Sequence, residues 1–236
     1  MGKTALITGS AKRVGKAAAV RLASKGYDIA GVYHSGRDGA LLLKNEIESM
    51  GKKCCIYRCN LEDAVETASL LERAASDFLS LDLLLNNASL FKRAKIKETD
   101  DRLLDEIFSV NFRAPFILTR EFSRYCKQGS IINLLDTKIA KNGSVYSAYT
   151  LSKQALYHLT LQAANEFAPH IRVNGIAPGV ILPLESMPAK TMDRIIKKNP
   201  LGKTGDIKHF LQALDYLVEN DYVTGQVLYI DGGHHL

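Results

Sequence analysis

Three side chains in this sequence, Asp136, Tyr149 and Lys153, have the types and the spacing to move a proton. Tyr149 and Lys153 stand four residues apart, so on a helix they share one face. An unperturbed phenol titrates near pH 10. An ammonium one turn away favours the phenolate and lowers that value. A Tyr tuned in this way can serve as a general acid near neutral pH. The same Tyr-x-x-x-Lys spacing also suits a plain surface pair on an amphipathic helix, so the pair needs support from elsewhere in the chain.

The elements around these residues are readable. Residues 130–135 are short, apolar and Ile-rich after a Gly, which predicts a buried strand. From about Val145 the pattern turns helical, with Ala148, Leu151, Ala155, Leu156, Leu159 and Ala163 at mostly three- and four-residue spacings. Asp136 then falls at the carboxyl end of the strand, where open α/β sheets place ligands. Further strands are predicted over residues 4–8, 28–33, 53–58, 81–86, 171–176 and 226–230. Helices are predicted over 14–25, 39–50, 62–78, 99–126 and 207–218, the long one bent at Pro115. Residues 183–205 read as irregular or partly helical. Seven strands alternating with helices imply a doubly wound parallel sheet with helices on both faces. No internal repeat, linker or low-complexity segment interrupts residues 1–236, so one domain is expected.

Composition narrows the class. The chain has 236 residues, 46% hydrophobic and 24% charged, ordinary values for a globular protein able to bury a large core. The net charge of +6 suits an anionic ligand and does not by itself argue for nucleic acid. No apolar run approaches the roughly 18 residues of a membrane span, and residues 4–8 already read as structural rather than as a signal peptide. Cys54, Cys55, Cys59 and Cys126 form no C-x-x-C pair. Zinc or another metal and a disulfide framework are therefore not expected, and a reducing cytoplasm is.

The first β–α turn runs Thr8-Gly9-Ser10-Ala11-Lys12-Arg13-Val14-Gly15. Such a turn aims backbone N–H groups and the helix dipole at an anion. With only two glycines the spacing is weak, and its place in the first βα unit strengthens it. At the end of the second strand stand Tyr33, His34, Ser35, Gly36 and Arg37, with no carboxylate before Asp38. Folds that prefer NAD place an acidic side chain there for the ribose hydroxyls. Lys12, Arg13 and Arg37 approach this corner instead, which suits the 2′-phosphate of NADP; a solvated basic loop has the same composition. Asn60 and Leu61 follow the third strand and could hold an adenine edge. Asn86, Asn87, Ala88 and Ser89 follow the fourth, where a small-residue turn could pass under a cofactor. Asn111 sits inside a helix, where Asn is mildly unfavourable, and could hold a water or a backbone carbonyl. Plain turn chemistry or capping explains each of these alone equally well.

Together, Thr8-Gly9-x-x-x-Arg13-x-Gly15, Asn86-Asn87-Ala88, Asn111, Tyr149-x-x-x-Lys153, Pro178-Gly179 and the ending from Val223 to Gly233 stand in the order of the short-chain dehydrogenase/reductase family, which the chain resembles over nearly its whole length. The resemblance implies a Rossmann fold with strand order 3-2-1-4-5-6-7 and an NAD(P) cofactor. It implies contacts to that cofactor from Gly9, Lys12, Arg13, Val14, His34, Ser35, Arg37, Asn60, Leu61, Asn87, Ala88, Ser89, Tyr149, Lys153, Pro178, Gly179 and Val180. Tyr149 would be the acid, Lys153 would lower its pKa and hold the nicotinamide ribose, and Asn111 would anchor a water in a proton relay. A homotetramer is implied, joined through residues 99–126 and 145–168.

Two departures narrow the resemblance. Most members carry Gly where Arg13 stands and Ser where Asp136 stands. Arg13, Asn87-Ala88-Ser89 with Phe91, Asp136, and Met187-Pro188 resemble the pteridine reductase and dihydromonapterin reductase branch. There the residue matching Phe91 would stack on a pterin, with Arg13, Ser89, Asp136 and Tyr149 as polar contacts. A ketone offers only acceptors, to which a Ser hydroxyl can donate. A pterin also presents N–H donors, which a carboxylate can accept. The branch usually has a fuller basic cluster after the second strand, where only Arg37 stands here. Three readings follow. The first is an NADPH-dependent reductase of dihydropterins. The second is an NADPH-dependent carbonyl reductase, such as one acting on a 3-oxoacyl group of a carrier protein, which the basic run Lys92-Arg93-x-Lys95-x-Lys97 could meet. The third is a cofactor-sensing protein without turnover. The expected partner is a small-molecule substrate, not nucleic acid or membrane.

Overall fold

The sheet is built from alternating burial. In a computed structural model describing residues 2–143, 145–182 and 189–236, the strands are β1 (Thr4–Thr8), β2 (Asp28–Tyr33), β3 (Cys54–Arg58), β4 (Leu83–Asn86), β5 (Gly129–Leu134), β6 (Ile171–Pro178) and β7 (Val227–Ile230). Ala5 and Ile7 face one core with Leu83 and Leu85, while Leu6 and Leu84 face the other, as the period of two requires. The helices are α1 (Arg13–Ser24), α2 (Arg37–Ser49), α3 (Ala64–Asp77), α4 (Asp101–Phe108), α5 (Ala114–Tyr125), α6 (Ser147–Glu166), α7 (Ala189–Lys198) and α8 (Ile207–Glu219). Leu22 of α1, Leu43 of α2 and Phe210 of α8 fill the first core. Leu70 of α3, Phe122 of α5 and Ala163 of α6 fill the second. Each fully buried Leu or Phe contributes about 1.5–3 kcal/mol relative to exposure.

All seven strands are parallel in the order β3-β2-β1-β4-β5-β6-β7, as expected. The order reverses between β1 and β4, which opens a crevice at their carboxyl ends. Thr8 closes the floor of that crevice. Its hydroxyl oxygen accepts the N–H groups of Asn87 (2.9 Å) and Ala88 (3.0 Å), and the Asn87 amide donates to the Thr8 and Gly9 carbonyls at 2.7 and 3.1 Å. No helix among the described residues is long and apolar enough to cross a membrane.

The long helix expected over residues 99–126 is interrupted, but not by a bend at Pro115. A π turn over Ser109–Arg113 separates α4 from α5, and Pro115 lies in the first turn of α5. The wider turn accommodates a residue with no N–H to give to the carbonyl of Asn111, four residues back. The expected flap residues Met187 and Pro188 lie outside the described residues.

A buried polar ladder joins the sheet to α6. Asn86 Nδ2 donates to Asn133 Oδ1 (2.8 Å), and Asn133 Nδ2 donates to Thr160 Oγ1 (2.9 Å). Asn133→Ala would strand the Asn86 donor at a site with no access to solvent. Each such buried unsatisfied group costs about 1–3 kcal/mol. The variant is therefore expected to unfold at a lower denaturant midpoint with an unchanged m-value, measured by urea titration.

Candidate active site

The loop after β5 begins with Asp136. Its carboxylate serves two masters. Oδ1 accepts the N–H of Lys138 at 2.8 Å and so caps the 3₁₀ turn Thr137–Ala140; Oδ2 accepts the Tyr149 hydroxyl at 2.8 Å. Asp136 is thus both a cap and a site residue, and the two roles use different oxygens. Lys138 Nζ lies 3.5 Å from Oδ1 as a half-exposed ion pair.

Tyr149 is 5% exposed. Burial, the Asp136 charge and the hydrogen bond to Asp136 together raise its pKa well above 10, with Ser89 acting weakly in the other direction. The expected lowering by Lys153 is therefore not what the geometry gives. A buried phenol facing a carboxylate is held protonated. Lys153 points elsewhere: its ammonium donates to the Leu134 carbonyl at 2.7 Å. Burial lowers Lys153 to about 8, the Asp136 charge opposing, so at pH 7 it is still mostly an ammonium. An ammonium has three donors, and Leu134 takes one of them.

Asn111 is fully buried in the π turn. Its Oδ1 accepts from Leu90 N–H (2.8 Å) and Ser89 Oγ (3.2 Å), and its Nδ2 donates to the Leu90 carbonyl (2.9 Å) and Ser152 Oγ (3.1 Å). The side chain is committed to holding the β4 exit loop against α6, which matches the expected backbone carbonyl partner. It leaves the amide no capacity to anchor a relay water.

The loop from Phe91 to Ala94 is fastened to the start of α6 by Ser147 N–H donating to the Ala94 carbonyl at 3.0 Å. This brings Phe91 to Tyr149, edge to face with ring centroids 4.6 Å apart. Phe91 also stacks on Tyr146 at 4.4 Å, with Lys138 Nζ 5.2 Å from its centroid. Tyr146, the residue that precedes α6, was not anticipated.

A cleft of about 380 Å³ runs along the strand ends, lined by Gly9, Lys12, Arg13, Val14, Gly15, His34, Ser35, Asn60, Leu61, Asn87, Ala88, Ser89 and Leu134 among others. The residues fit a dinucleotide. Helix α1 begins without a side-chain cap or an acidic residue in its first turn, so its N-terminal N–H groups suit a phosphate. At Gly15 a Cβ would stand 2.2 Å from the Gly9 carbonyl oxygen, so only Gly allows this close turn. A second recess, lined by Tyr33, His34, Ser35, Gly36, Arg37 and Arg58, continues from the cleft. Arg58, the last residue of β3, adds an unexpected cation to the corner where Lys12, Arg13 and Arg37 were expected.

Some expected residues stand apart. Pro178, Gly179 and Val180 lie at the carboxyl end of β6 and do not line the cleft. The Asn87 and Asn60 side chains serve the loops themselves, Asn60 Oδ1 accepting the Glu62 N–H at 3.1 Å. Arg13 has φ +51°, the left-handed region, and its guanidinium donates to the Leu182 carbonyl at 2.6 Å instead of turning to the second-strand corner. Lys92 pairs with Glu106, which removes one cation from the basic run.

A family model described as enoyl-(acyl carrier protein) reductase matches residues 9–235. The 2-dehydro-3-deoxy-D-gluconate 5-dehydrogenase of Pseudoalteromonas atlantica is 32% identical over 98% of this chain and 95% of its own. The 3-oxoacyl-[acyl-carrier-protein] reductase FabG of Staphylococcus aureus is 27% identical over 100% of this chain and 99% of its own. Among solved structures, FolM alternative dihydrofolate reductase 1 from Brucella canis complexed with NADP is 34% identical, with TM-score 0.91 over 98% of this chain and 93% of its own.

Replacing Asp136 by Asn removes the charge that acts on the phenol. The Tyr149 ionisation midpoint should then fall, because loss of a neighbouring anion stabilises the phenolate. Ring-¹³C tyrosine NMR across an alkaline titration reads this directly. An unchanged or higher midpoint in Asp136→Asn would contradict the electrostatic origin argued above.

Proposed function

The chain belongs to the short-chain dehydrogenase/reductase family, and from that premise we propose that it is an NADPH-dependent reductase of a dihydropterin-like substrate with Tyr149 as proton donor. The observation that carries the reading is the Asp136 carboxylate bonded to Tyr149 at 2.8 Å. A Ser at that position would donate to a ketone. A carboxylate accepts, and so suits a heterocycle that presents N–H groups.

NADPH, when bound, supplies a hydride to the substrate. Gly9, Val14, Ala88 and Leu134 would line its seat, the start of α1 would receive its pyrophosphate, and His34, Ser35, Arg37 and Arg58 would surround its 2′-phosphate. Lys153 would hold the nicotinamide ribose with the donors that Leu134 does not take. Phe91 offers a ring beside Tyr149, worth about 0.5–1.5 kcal/mol beyond area burial if a flat substrate stacks on it. Ser89 and Arg13 would supply polar contacts to the substrate. Tyr149 carries the proton. Burial and the Asp136 charge keep it protonated near neutral pH, and the Lys153 ammonium would offset the negative charge that appears when the proton leaves. Asp136 orients the phenol and accepts from the substrate through its remaining lone pairs.

Related features support the rest of the reading. The NADP complex is reported for the Brucella canis relative. Phe116 of α5 and Leu151 of α6 are 44% and 50% exposed, and such apolar positions on neighbouring helices suit burial between copies in a homotetramer. Four free cysteines suit a cytoplasmic setting. A second reading, reduction of a 3-oxoacyl group on a carrier protein, is favoured by the exposed Arg93, Lys95 and Lys97 beside the site and by the likeness to FabG. Asp136 and the Arg13 conformation count against it.

The experiment that separates the two measures kcat/KM for a dihydropterin and an acetoacetyl thioester on wild type and Asp136→Ser. The expected result is pterin turnover by wild type that drops about tenfold or more in the variant, with NADPH affinity intact. Turnover of the thioester alone, or an undiminished Asp136→Ser, would reject the pterin assignment.

Cofactor choice follows from the recess. Each charge-assisted contact to a 2′-phosphate contributes about 1.5–3 kcal/mol, so NADPH should be preferred over NADH by about tenfold to a hundredfold per contact. Arg37→Ala and Arg58→Ala should each erode the preference by raising KM for NADPH while leaving KM for NADH unchanged. Equal kcat/KM for the two cofactors in wild type would defeat the argument.

A further inference from the structure

The far end of the chain is folded against the underside of the Asp136 loop. Asp231, just past β7, is 6% exposed and is surrounded by donors. Its carboxylate accepts from Thr137 Oγ1, from Gly233 N–H at 3.0 Å, from His235 N–H at 2.8 Å and from His235 Nδ1 at 3.0 Å. Two consecutive residues in the left-handed region, Gly232 (φ +66°) and Gly233 (φ +85°), curl the chain around the carboxylate. His235 is further fixed by stacking on Tyr229 with centroids 4.0 Å apart. Burial works to raise the Asp231 pKa, but the bonds from Thr137, His235 and Gly233 outweigh it and hold the carboxyl below its usual value. A group held this firmly as an anion is a fixed anchor.

Thr137 is the residue after Asp136 and opens the 3₁₀ turn that Asp136 caps. It is 5% exposed, so its hydroxyl has no solvent to turn to. Three tethers define where Asp136 sits. Leu135 N–H donates to the Ile176 carbonyl at 2.7 Å on one side, Thr137 donates to Asp231 on the other, and Gln154 Nε2 donates to the Ile139 carbonyl at 3.2 Å at the far end of the turn. Of these, only the Asp231 bond acts on the residue directly joined to Asp136 from its carboxyl side. Within the turn Asp136 is held by its own cap, Oδ1 accepting the Lys138 N–H at 2.8 Å and its carbonyl the Ile139 N–H at 3.1 Å. Asp136 and the turn therefore move together, and the Thr137 bond to Asp231 fixes the start of that unit to the β7 side.

We propose that Asp231 is a positioning residue for the reaction, acting through Thr137 to hold Asp136 where its second carboxylate oxygen meets Tyr149. The proposal rests on the reading that Asp136 and Tyr149 work together. Neither Asp231 nor His235 touches the reacting atoms. Their part is to keep the Asp136 oxygen within hydrogen-bond reach of the phenol, since a displacement of about 1 Å at a reacting constellation can cost on the order of a hundredfold in rate. The C-terminal tail is in this way part of the site, although it lies outside the cleft.

The test uses the full-length protein and Thr137→Val, which keeps the shape and removes the donor, with Thr137→Ser as the conservative variant that restores it. The first readout needs no substrate: the ring-¹³C resonance of Tyr149 in the cofactor-free protein, assigned by its loss in Tyr149→Phe. It should move in Thr137→Val toward its position in Asp136→Ser and return in Thr137→Ser. The second readout is kinetic. Thr137→Val should lower kcat by about tenfold, less than the roughly hundredfold that a full 1 Å misplacement can cost, and should leave the NADPH Kd unchanged. In the Asp136→Ser background the same substitution should cost nothing further, because the group it positions is gone. If Thr137→Val does not fold, Asp231→Asn is read by the same two measurements. A Tyr149 resonance that stays at its wild-type position, or an equal loss of kcat with and without Asp136, overturns the proposal. If wild type reduces no dihydropterin, the substrate assignment fails while the resonance still decides the positioning role.

Discussion

The hydrogen bond from Tyr149 to Asp136 is the interaction around which the rest of the molecule is arranged. A phenol taken out of water beside a carboxylate is held in its neutral form, because ionising it would place two negative charges against each other at low dielectric. The bond therefore has a direction: the phenol donates and the carboxylate accepts. That fixes the Tyr149 hydroxyl in space before any substrate arrives. Its second consequence is that the Lys153 ammonium is not needed to set the resting state of the phenol. Lys153 is instead spent on the Leu134 carbonyl at the end of β5, the strand that leads into Asp136. In the resting protein the carboxylate, and not the ammonium, is the charge that acts on Tyr149.

Holding such a bond requires that three separate pieces of backbone stay in register, and the fold does this with buried polar side chains rather than with apolar packing. Thr8 and Asn87 join the exits of β1 and β4. Asn111 joins the β4 exit to α6. Asn133 joins β5 to α6 lower down. Apolar contact is not directional and would tolerate small slips of one element on another. A buried amide that loses its partner bears the full desolvation cost, so each of these ties has a narrow set of acceptable geometries. All of them lie near the carboxyl edge of the sheet, the edge where the cleft opens.

Much of this was legible before any coordinates. The bounds of β1 and β2 follow from apolar runs closed by Gly and polar residues, the doubly wound parallel sheet follows from βα alternation, and the strand order came only from the resemblance to the short-chain dehydrogenase/reductase family. Asp136, Tyr149 and Lys153 were found because their spacing along the chain is local or because they stand at a strand end that a parallel sheet turns toward the ligand crevice; Phe91 was found through the resemblance to the pteridine reductase branch. What stayed hidden is long-range. Arg58 joins Arg37 only because β3 lies beside β2 with Tyr33 opposite Arg58. Thr137 meets Asp231 across 94 residues. The direction of the Tyr149 shift depends on burial and on which of two nearby charges points at the phenol, and neither quantity is encoded in the i, i+4 spacing that suggested Lys153. The π turn escaped notice for a different reason. Its signal, a buried Asn four residues before a Pro, was present, but Pro alone predicts a bend at its own position.

Arg13 shows how local preference yields to the site. A residue with a Cβ in the left-handed region costs roughly 1–2 kcal/mol over the right-handed form, and Gly at that position would remove the cost. The strain is offset by what the side chain reaches, a charge-assisted bond to the Leu182 carbonyl beyond β6. That bond spans the mouth of the site, from the turn that would seat the cofactor phosphates to the segment following β6. A Gly would leave those two regions independent. With Arg13 in place, the start of α1 and the segment after β6 share a hydrogen bond, and the remaining guanidinium donors are left over for a ligand. The hydrogen bond from this one residue, the single non-glycine with positive φ among the described residues, therefore ties the turn after β1 to the segment following β6.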